Sequence, residues 1–192
     1  KINNLKGIIH LAAQSSVPLS VNEFFKSSTN NIVSSLKVFE IAKRNNVPVV
    51  YASSSAVYGN LSVGDDVKNK FSISSPYAQD KLSLEYYARM FFDVFNISSI
   101  GLRFFNVYGP KQKANSPYSA VIPIFINRLK KNLPVIINGG FQTRDFIFIE
   151  DVVKIIELSM AKAQSKKISS TFNVGTGRSI KVLLIFFDWA FA

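Results

Sequence analysis

Short apolar runs rich in β-branched residues alternate with longer segments of helical periodicity along most of the 192-residue chain. Runs such as VPVVYASS, at 47–54, are typical of buried strands, and segments such as 77–94 are typical of helices. The same patterns predict further strands within 7–13, 97–109, 134–138, 144–149 and 171–175, and further helices at 21–45, 120–132 and 150–164. Strands that alternate with helices are joined by crossovers and therefore pair in parallel. The chain is predicted to be an α/β protein with a doubly wound parallel sheet.

The composition limits the kinds of site that this chain can carry. Hydrophobic residues make up 47% of the sequence, so the chain can bury a sizeable core and disorder is not expected. The sequence has no cysteine, and its single histidine is His10. Disulfides are thereby excluded, as are metal sites built from cysteines or from several histidines. The lack of cysteine fits a reducing cytoplasm, where we expect the protein to reside.

The net charge of +11 invites a nucleic-acid interpretation, but the lysines and arginines are spread along the chain rather than clustered. We therefore expect no nucleic-acid partner, and an anionic small molecule that uses a few of these charges. No apolar run reaches the roughly 20 residues that span a bilayer, so we expect no membrane partner. The last stretch, VLLIFFDWAFA at 182–192, is apolar, but it is short and contains Asp188. We expect it to be core or an atypical chain end.

The stretch SSPYAQDKLSLEYYARM, at 74–90, places Tyr77 and Lys81 one turn apart on one face of a predicted helix. A tyrosine, with a reference pKa of about 10, acts as a base near pH 7 only after a stabilisation of its phenolate by roughly 4 kcal/mol. A lysine ammonium favours the phenolate, and a cationic cofactor ring would add to that effect. Upstream, YASSSAVYG at 51–59 ends a predicted strand with hydroxyls that could bond the phenol and a substrate oxygen. Both patterns also arise by chance, on helix surfaces and at strand ends.

The two segments together resemble the extended short-chain dehydrogenase/reductase family, which contains the nucleotide-sugar epimerases and dehydratases. Other segments resemble the family in its own order, over about 7–182: IIHLAAQSSVPLS, LRFFNVYGP, SPYSAVIPIFI, TRDFIFIEDVV and FNVGTGRSIKV. Within the family, SVPLS, SSPYA and NSPYSAVIP are most similar to bacterial epimerases that act on UDP-hexoses and UDP-N-acetylhexosamines.

The resemblance implies a role for each matching residue. Tyr77 would be the catalytic base, and Lys81 its electrostatic partner and a ligand of the nicotinamide ribose. Ser54 matches the family's catalytic hydroxyl, with Ser53 and Ser55 as alternatives because a serine triplet leaves the register open. The residues that would contact NAD are Leu11, Ala12, Ala13, Asn31, Ser53, Tyr77 and Lys81. Those that would contact the UDP-sugar are Ser16, Asn106, Val121 and Arg144, although Arg144 could instead form a surface ion pair with Asp145 or Glu150.

The resemblance also bears on the reaction. Family members that dehydrate or decarboxylate their substrates place a carboxylate soon after the catalytic hydroxyl, and it moves the additional proton. Ser55 and Ala56 stand at the corresponding positions here. The implied reaction is therefore 4-epimerisation of a UDP-sugar through a 4-keto intermediate, with tightly held NAD as the cofactor. Another reaction on the same scaffold, such as 5-epimerisation, 4-reduction or dehydration, and a non-catalytic remnant remain as alternatives.

The sequence departs from the family at both ends. It has no counterpart of the glycine-rich turn that approaches the NAD pyrophosphate, since its first glycine is Gly7. We assign 1–110 to the C-terminal portion of a NAD-binding Rossmann domain that carries the catalytic residues. The rest, 111–192, is assigned mainly to a truncated substrate-binding region that returns to the sheet near 144–175. We expect this chain to bind NAD poorly and to turn over slowly or not at all. The family also implies a homodimer that packs through the helix of Tyr77 and Lys81.

Overall fold

The computed structural model describes residues 4–61, 64–68, 70–115, 119–137 and 141–182. In chain order, its helices and strands are β1 (Ile8–His10), α1 (Val17–Asn22), α2 (Phe24–Asn45), β2 (Val49–Ser54), α3 (Pro76–Phe95), β3 (Ser99–Phe104), β4 (Asn106–Tyr108), α4 (Val121–Lys130), β5 (Thr143–Arg144), β6 (Phe146–Phe148), α5 (Ile149–Ser165), β7 (Ser169–Val174) and β8 (Ile180–Lys181). A 3-10 turn follows β2 at Ser55–Tyr58. Strands alternate with helices, which confirms the predicted α/β class.

The chain forms two compact units, of which the first comprises 1–104 and 153–174. Its sheet has the order β1-β2-β3-β7, and each neighbouring pair is parallel. Val49 pairs with Ser99, and Ser99 with Ser169, so the carboxyl ends of the strands lie along the same edge of the sheet. Ligands of open α/β sheets bind beyond this edge. The predicted parallel sheet is thus confirmed for the described part of the chain.

Helices α2 and α3 pack on this sheet through an aromatic core. Phe39 of α2 is fully buried, and its ring centroid lies 5.9 Å from that of Tyr51 and 5.1 Å from that of Phe91. The three aromatic residues come from α2, β2 and α3, so the contact joins two helices to the sheet. Large aromatic side chains contribute most to such cores because each buries a large apolar area.

Helix α3 has sequence signals at both of its ends. The Oγ of Ser75 accepts a hydrogen bond from the backbone N–H of Ala78 at 3.2 Å, and Pro76 occupies the first helical position. Both are favourable at a helix N-terminus, where backbone N–H groups lack helical partners. Asn96 ends the helix in the left-handed region, at φ 57°, and its N–H bonds the carbonyl of Phe92. These caps fix where the face carrying Tyr77 begins.

Gly101, in the middle of β3, gives space to a neighbouring tyrosine. A Cβ at this position would lie 2.5 Å from the hydroxyl oxygen of Tyr51 and 2.9 Å from the Oγ1 of Thr171. Tyr51 pairs with Gly101 in the sheet, and Gly101 pairs with Thr171. Glycine is therefore required here for packing rather than for a special backbone conformation.

The second unit comprises 105–152 and 175–192. In its described residues β4 pairs in parallel with β6, and β5 pairs in antiparallel with β8. Helix α4 buries Pro123 and Phe125. Across both units, no helix in the described ranges is both long and apolar enough to cross a bilayer.

The structure corrects some sequence predictions. The helix predicted at 21–45 is two helices, because the backbone leaves the helical region at Glu23, with φ −120° and ψ 51°. The strand predicted at 134–138 is wrong for 134–137, which pair with no strand among the described residues, and residue 138 lies outside them. Here Ile136 is exposed, and the Nε of Arg128 donates to the carbonyl of Pro134 at 2.6 Å. Residues 183–192 of the apolar last stretch also lie outside the described ranges.

We expect Phe39→Ala to lower the free energy of unfolding by about 3–5 kcal/mol, because it removes a fully buried ring and leaves a cavity between two helices and the sheet. Leu158→Ala, at an exposed position of α5, is the control and should change it by less than about 1 kcal/mol. Urea unfolding followed by circular dichroism measures both. Equal losses would contradict the core assignment.

Candidate functional site

The candidate catalytic hydroxyls meet where β2 ends and α3 begins. Ser54 is the last residue of β2, and its Oγ accepts a hydrogen bond from the N–H of Ala56 at 3.1 Å. The hydroxyl of Ser54 also acts on the hydroxyl of Tyr77 and lowers the pKa of that phenol. The backbone N–H of Tyr77 donates to the Oγ of Ser20 at 3.2 Å, which ties the start of α3 to α1. The backbone of Tyr77 is thus fixed where its phenol can interact with Ser54.

The three serines of the cluster have different surroundings. Ser53 is buried, and its hydroxyl donates to the carboxylate of Glu85 at 2.5 Å. Ser55 is half-buried in the 3-10 turn. Among the three, Ser54 is the residue that lowers the pKa of Tyr77. Because the hydroxyl of Ser53 is bonded to Glu85, Ser54 is favoured over Ser53 as the partner of the phenol.

Lys81 lies one turn after Tyr77 and is buried. Its Nζ donates to the backbone carbonyl of Ala52 at 2.7 Å and lies 5.7 Å from the centroid of the Tyr77 ring. Burial lowers the pKa of Lys81 to about 8, and the carboxylate of Asp80 opposes that shift. Lys81 is therefore a lysine whose charge state changes near the physiological range.

The surroundings of Tyr77 act on its pKa in opposite directions. Burial raises the pKa, the hydrogen bond from Ser54 lowers it, and the negative charge of Asp80 raises it. Burial is the largest of these effects, so the net direction is upward. The phenol is consequently protonated at neutral pH in the protein alone, and an additional positive charge is needed before it can act as a base.

The loop after β1 contains the residues expected to line a cofactor. Leu11 and Ala12 are exposed and Ala13 is half-buried. Asn31 fixes the next residue of this loop: its Oδ1 accepts from the N–H of Gln14 at 2.8 Å, and its Nδ2 donates to the Gln14 carbonyl at 3.1 Å. Asn31 therefore holds the backbone of the loop at Gln14. Leu11 and Ala12, earlier in the same loop, remain exposed.

Ser16 and Asp80 both have hydrogen-bond partners within the protein. Ser16, expected to contact the substrate, is buried, and its Oγ caps α1 by accepting from the N–H of Leu19 at 3.2 Å. Asp80 is also buried and accepts from the Nδ2 of Asn31 at 3.1 Å. The sequence reasoning did not single out Asp80, although its position between Tyr77 and Lys81 made a charge there relevant to both pKa values.

His10 is a buried polar residue for which the sequence suggested no role. The hydroxyl of Ser35 donates to the carbonyl of Asn31 at 2.6 Å, so it accepts from the Nε2–H of His10 at 3.0 Å. Burial, followed by the positive charge of Lys81, lowers the pKa of His10. His10 is therefore neutral at pH 7, with its hydrogen on Nε2.

A buried ion pair lies behind the serine cluster, and the sequence reasoning missed it. Arg103 of β3 donates from Nε and Nη2 to the two carboxylate oxygens of Glu85, at 2.9 and 2.6 Å. Its Nη1 donates to the hydroxyl of Tyr58 at 2.8 Å, and that hydroxyl donates to the Oδ1 of Asn173 at 2.6 Å. The signal available in the sequence was the spacing of Glu85, eight residues after Tyr77 and so on the same helix face.

The second unit contains Asn106, Val121 and Arg144, which were expected to contact the UDP-sugar, and Asp145 bonds the first of them. The Asp145 carbonyl accepts from the N–H of Asn106 at 3.0 Å and from its Nδ2 at 2.9 Å. The Asp145 carboxylate accepts from the N–H and hydroxyl of Thr176, at 2.9 and 2.8 Å, and from the N–H of Gly177 at 2.8 Å. Asp145 thus joins three separate stretches of the chain.

Arg144 and Val121 lie at open positions of the same unit. Arg144 is exposed, and its Nη1 donates to the carbonyl of Thr143 at 2.8 Å. Within the described ranges, the salt bridges do not connect Arg144 with Asp145 or Glu150. Val121 is the first residue of α4, whose preceding residue provides no side-chain cap. The residue at the N-cap position, Ala120, therefore offers no side-chain acceptor to the first N–H groups of α4.

Comparisons with known proteins agree with this fold. The model of the NAD dependent epimerase/dehydratase family matches residues 1–175. A dTDP-D-glucose 4,6-dehydratase of Dictyostelium discoideum is 30% identical over 92% of this chain and 42% of its own length. The structure of a UDP-N-acetylglucosamine 4-epimerase from Methanobrevibacter ruminantium M1 is 39% identical, with a TM-score of 0.86, over 95% of this chain and 58% of that one. A UDP-glucose 4-epimerase from Thermotoga maritima is 31% identical, with a TM-score of 0.87, over 95% and 59%.

The chain spans about half of the length of the curated relatives that it matches. It therefore corresponds to part of the Rossmann-like fold of these proteins. Because the family model covers most of the sequence, the chain belongs to the NAD dependent epimerase/dehydratase family.

Proposed function

We propose that this chain carries the catalytic and diphosphate-binding residues of an NAD-dependent nucleotide-sugar 4-epimerase. The observation that carries the proposal is the placement of Tyr77 and the buried Lys81 against the end of β2, where Lys81 bonds the carbonyl of Ala52 and Ser54 lowers the pKa of Tyr77. All three lie at the carboxyl edge of a parallel sheet, where ligands bind in folds of this kind. The relatives named as UDP-sugar 4-epimerases support the same assignment.

Tyr77 is the proposed base for the 4-hydroxyl of the sugar. A base must lie within hydrogen-bond reach of the proton that it takes, and the 4-hydroxyl would therefore bind beside the phenol. Ser54 lowers the pKa of Tyr77, so a hydrogen bond from its hydroxyl would stabilise the phenolate. The proton returns from Tyr77 to the 4-oxygen when the sugar is reduced again, so one base serves both directions.

The residues present fit the nicotinamide-ribose half of NAD. A lysine ammonium has three donors, and Lys81 has one recorded hydrogen bond, to Ala52. The open side of Leu11, Ala12 and Ala13 would line the cofactor, with Asn31 holding that loop in place. NAD, when bound, supplies the hydride acceptor and the positive ring charge that favours the phenolate. The sequence offers no glycine-rich turn for the pyrophosphate, so these residues account for part of a cofactor site.

The proposed substrate is a UDP-sugar whose diphosphate lies near Asn106, Arg144 and the N–H of Val121. An arginine fork binds phosphate oxygens through two parallel hydrogen bonds, and the guanidinium of Arg144 is exposed. The uncapped start of α4, a ten-residue helix, favours an anion through its N–H groups and dipole. Ser16 remains a proposed contact of the sugar. Its hydroxyl oxygen already accepts the hydrogen bond from Leu19 that caps α1.

Epimerisation is preferred over dehydration because of the 3-10 turn after Ser54. Dehydration needs a further acid or base beside the sugar, and the turn offers Ser55 and Ala56 where family dehydratases have a carboxylate. Dehydration is kept as the second candidate because a relative in Dictyostelium discoideum is named a 4,6-dehydratase.

We also propose a homodimer that packs through α3. Tyr86, Met90 and Val94 follow each other at intervals of four residues and are exposed, so they form an apolar stripe along this helix. Helix α2, which packs beside α3, exposes Phe25, Val33 and Ile41 at intervals of eight residues. Exposed apolar patches of this kind mark interaction surfaces.

The reaction is tested with a chimaera that places a family glycine-rich strand-turn-helix before residue 1. Incubated with NAD and UDP-glucose or UDP-N-acetylglucosamine, it should yield the 4-epimer, which is separated by ion-pair chromatography. A 4-keto-6-deoxy product would overturn the choice of epimerisation. No product from a chimaera that holds NAD would favour the non-catalytic alternative.

In this chimaera, Tyr77→Phe should lower kcat by about 10²–10⁴, because it removes a general base while keeping the ring. Tyr87→Phe is the matched control, since it makes the same change at an exposed position of the same helix, and it should retain full activity. Activity in Tyr77→Phe within tenfold of the wild type would exclude Tyr77 as the base.

Stability should depend on pH through Lys81. Its pKa is about 8 in the folded chain and about 10.4 when unfolded, so the unfolded state binds more protons between these values. The free energy of unfolding of the wild type, measured relative to Lys81→Met, should therefore rise between pH 8 and 10.4, by at most about 1.4 kcal/mol per pH unit. It should be level below pH 8. Denaturant unfolding at several pH values measures the difference, with the exposed Lys37→Met as control, and a level difference across the window would contradict the burial of a charged Lys81.

Light scattering after size-exclusion chromatography should give twice the chain mass of 21.4 kDa. Met90→Glu should give the mass of a monomer, because a carboxylate in an apolar contact is unfavourable. Val153→Glu, at an exposed position of α5, should leave the dimer intact. A monomeric wild type would refute the interface.

A further inference from the structure

One face of α3 bonds the last three residues of β2. The hydroxyl of Ser54 interacts with that of Tyr77 and lowers its pKa, and Lys81 donates to the carbonyl of Ala52. One turn further, Glu85 accepts from the hydroxyl of Ser53. The three helix residues are spaced by four, which places them along one side of the helix. The side that carries the proposed catalytic pair therefore continues into a third contact, which the proposed mechanism does not use.

The position of Glu85 is fixed independently of Ser53. Arg103 bonds both carboxylate oxygens of Glu85, and both residues are buried. The guanidinium of Arg103 lies 4.9 Å from the centroid of the Phe71 ring and 5.3 Å from that of Tyr58. A bidentate pair beside two aromatic rings holds the carboxylate in one orientation.

Ser53 is placed to meet this carboxylate. It is the register partner of Arg103 across β2 and β3, so the two side chains leave the sheet side by side. The hydroxyl of Ser53 is thus an additional donor to a carboxylate that Arg103 already neutralises. Ion pairing alone does not require the Ser53 hydroxyl, whereas fixing the strand against the helix does.

We propose that Glu85 is a positioning residue: through Ser53 it fixes the last residues of β2 against α3, and thereby aligns the hydroxyl of Ser54 with that of Tyr77. The proposal rests on the proposed function, in which this alignment prepares the base. Neighbouring Cα atoms are about 3.8 Å apart, so a displacement of Ser53 moves Ser54 with it. Displacements of about 1 Å are enough to impair a reacting geometry.

The test compares Ser53→Ala with Ser99→Ala. Ser99 is a buried serine of the neighbouring strand β3 whose hydroxyl has no recorded partner, so its removal is a matched control. In Ser53→Ala, Glu85 keeps both bonds to Arg103, and the chain is expected to fold. The chain is labelled with fluorotyrosine, and the fluorine signal of Tyr77 is followed by NMR against pH. Tyr77 is identified among the seven tyrosines by the signal lost in Tyr77→Phe.

Ser53→Ala should raise the titration midpoint of Tyr77 by about 0.5–1 pH unit, because the hydrogen bond that favours the phenolate weakens. Ser99→Ala should leave the midpoint within about 0.2 unit of the wild type, on the same scale. Ser53→Ala should also lower the thermal stability slightly more than Ser99→Ala does, because it removes a buried hydrogen bond.

A Tyr77 midpoint in Ser53→Ala equal to that in Ser99→Ala would overturn the proposal. So would a Ser53→Ala variant that is less stable than Ser99→Ala but has the same Tyr77 midpoint, since the bond between Ser53 and Glu85 would then serve stability alone. The measurement needs neither NAD nor substrate. A chimaera without epimerase activity would therefore refute the proposed reaction, and leave the NMR result to decide the positioning role separately.

Discussion

The packing of α3 against the carboxyl end of β2 is the contact on which the candidate site depends. It buries Lys81, Glu85 and Arg103, which are charged residues that proteins rarely bury without partners. A buried charge destabilises the fold unless hydrogen bonds or an opposite charge compensate for it. Here a strand carbonyl bonds Lys81, and the carboxylate of Glu85 pairs with Arg103. These bonds to Lys81 and Glu85 form together when α3 packs against the end of β2. The same packing brings Tyr77 to Ser54.

Much of this arrangement follows from local patterns in the sequence. Alternating strand-like and helix-like segments predicted the parallel sheet, because a helical crossover between strands leaves few other topologies. The spacing of Tyr77 and Lys81 predicted a shared helix face, since helices repeat every 3.6 residues. The strand predicted at 134–138 was wrong because an apolar run forms a strand only when a partner strand takes its backbone hydrogen bonds. Ile136, in this run, is exposed instead.

Other features depend on contacts that no local pattern contains. The choice among the three serines depends on Ser53 meeting Glu85, 32 residues later in the chain. Asp145 reaches Asn106 and Thr176 across 39 and 31 residues. Such contacts form after the elements are placed, and a single sequence read for periodicity identifies the elements but not their side-chain pairs. The family resemblance identified Asn106 and Arg144. The hydrogen bonds of Asp145, which include one from Asn106, were found only in the structure.

The space that Gly101 leaves for the Tyr51 hydroxyl has a consequence for how this sheet can evolve. Tyr51 is fully buried, so its ring has no open volume into which it can swing if position 101 gains a side chain. A larger residue at 101 fits only after the residue at 51 has become smaller than tyrosine. Thr171 then loses its contact with the hydroxyl of Tyr51. Substitutions at these three positions, on three adjacent strands, are therefore epistatic, and the order in which they occur decides which sequences remain folded.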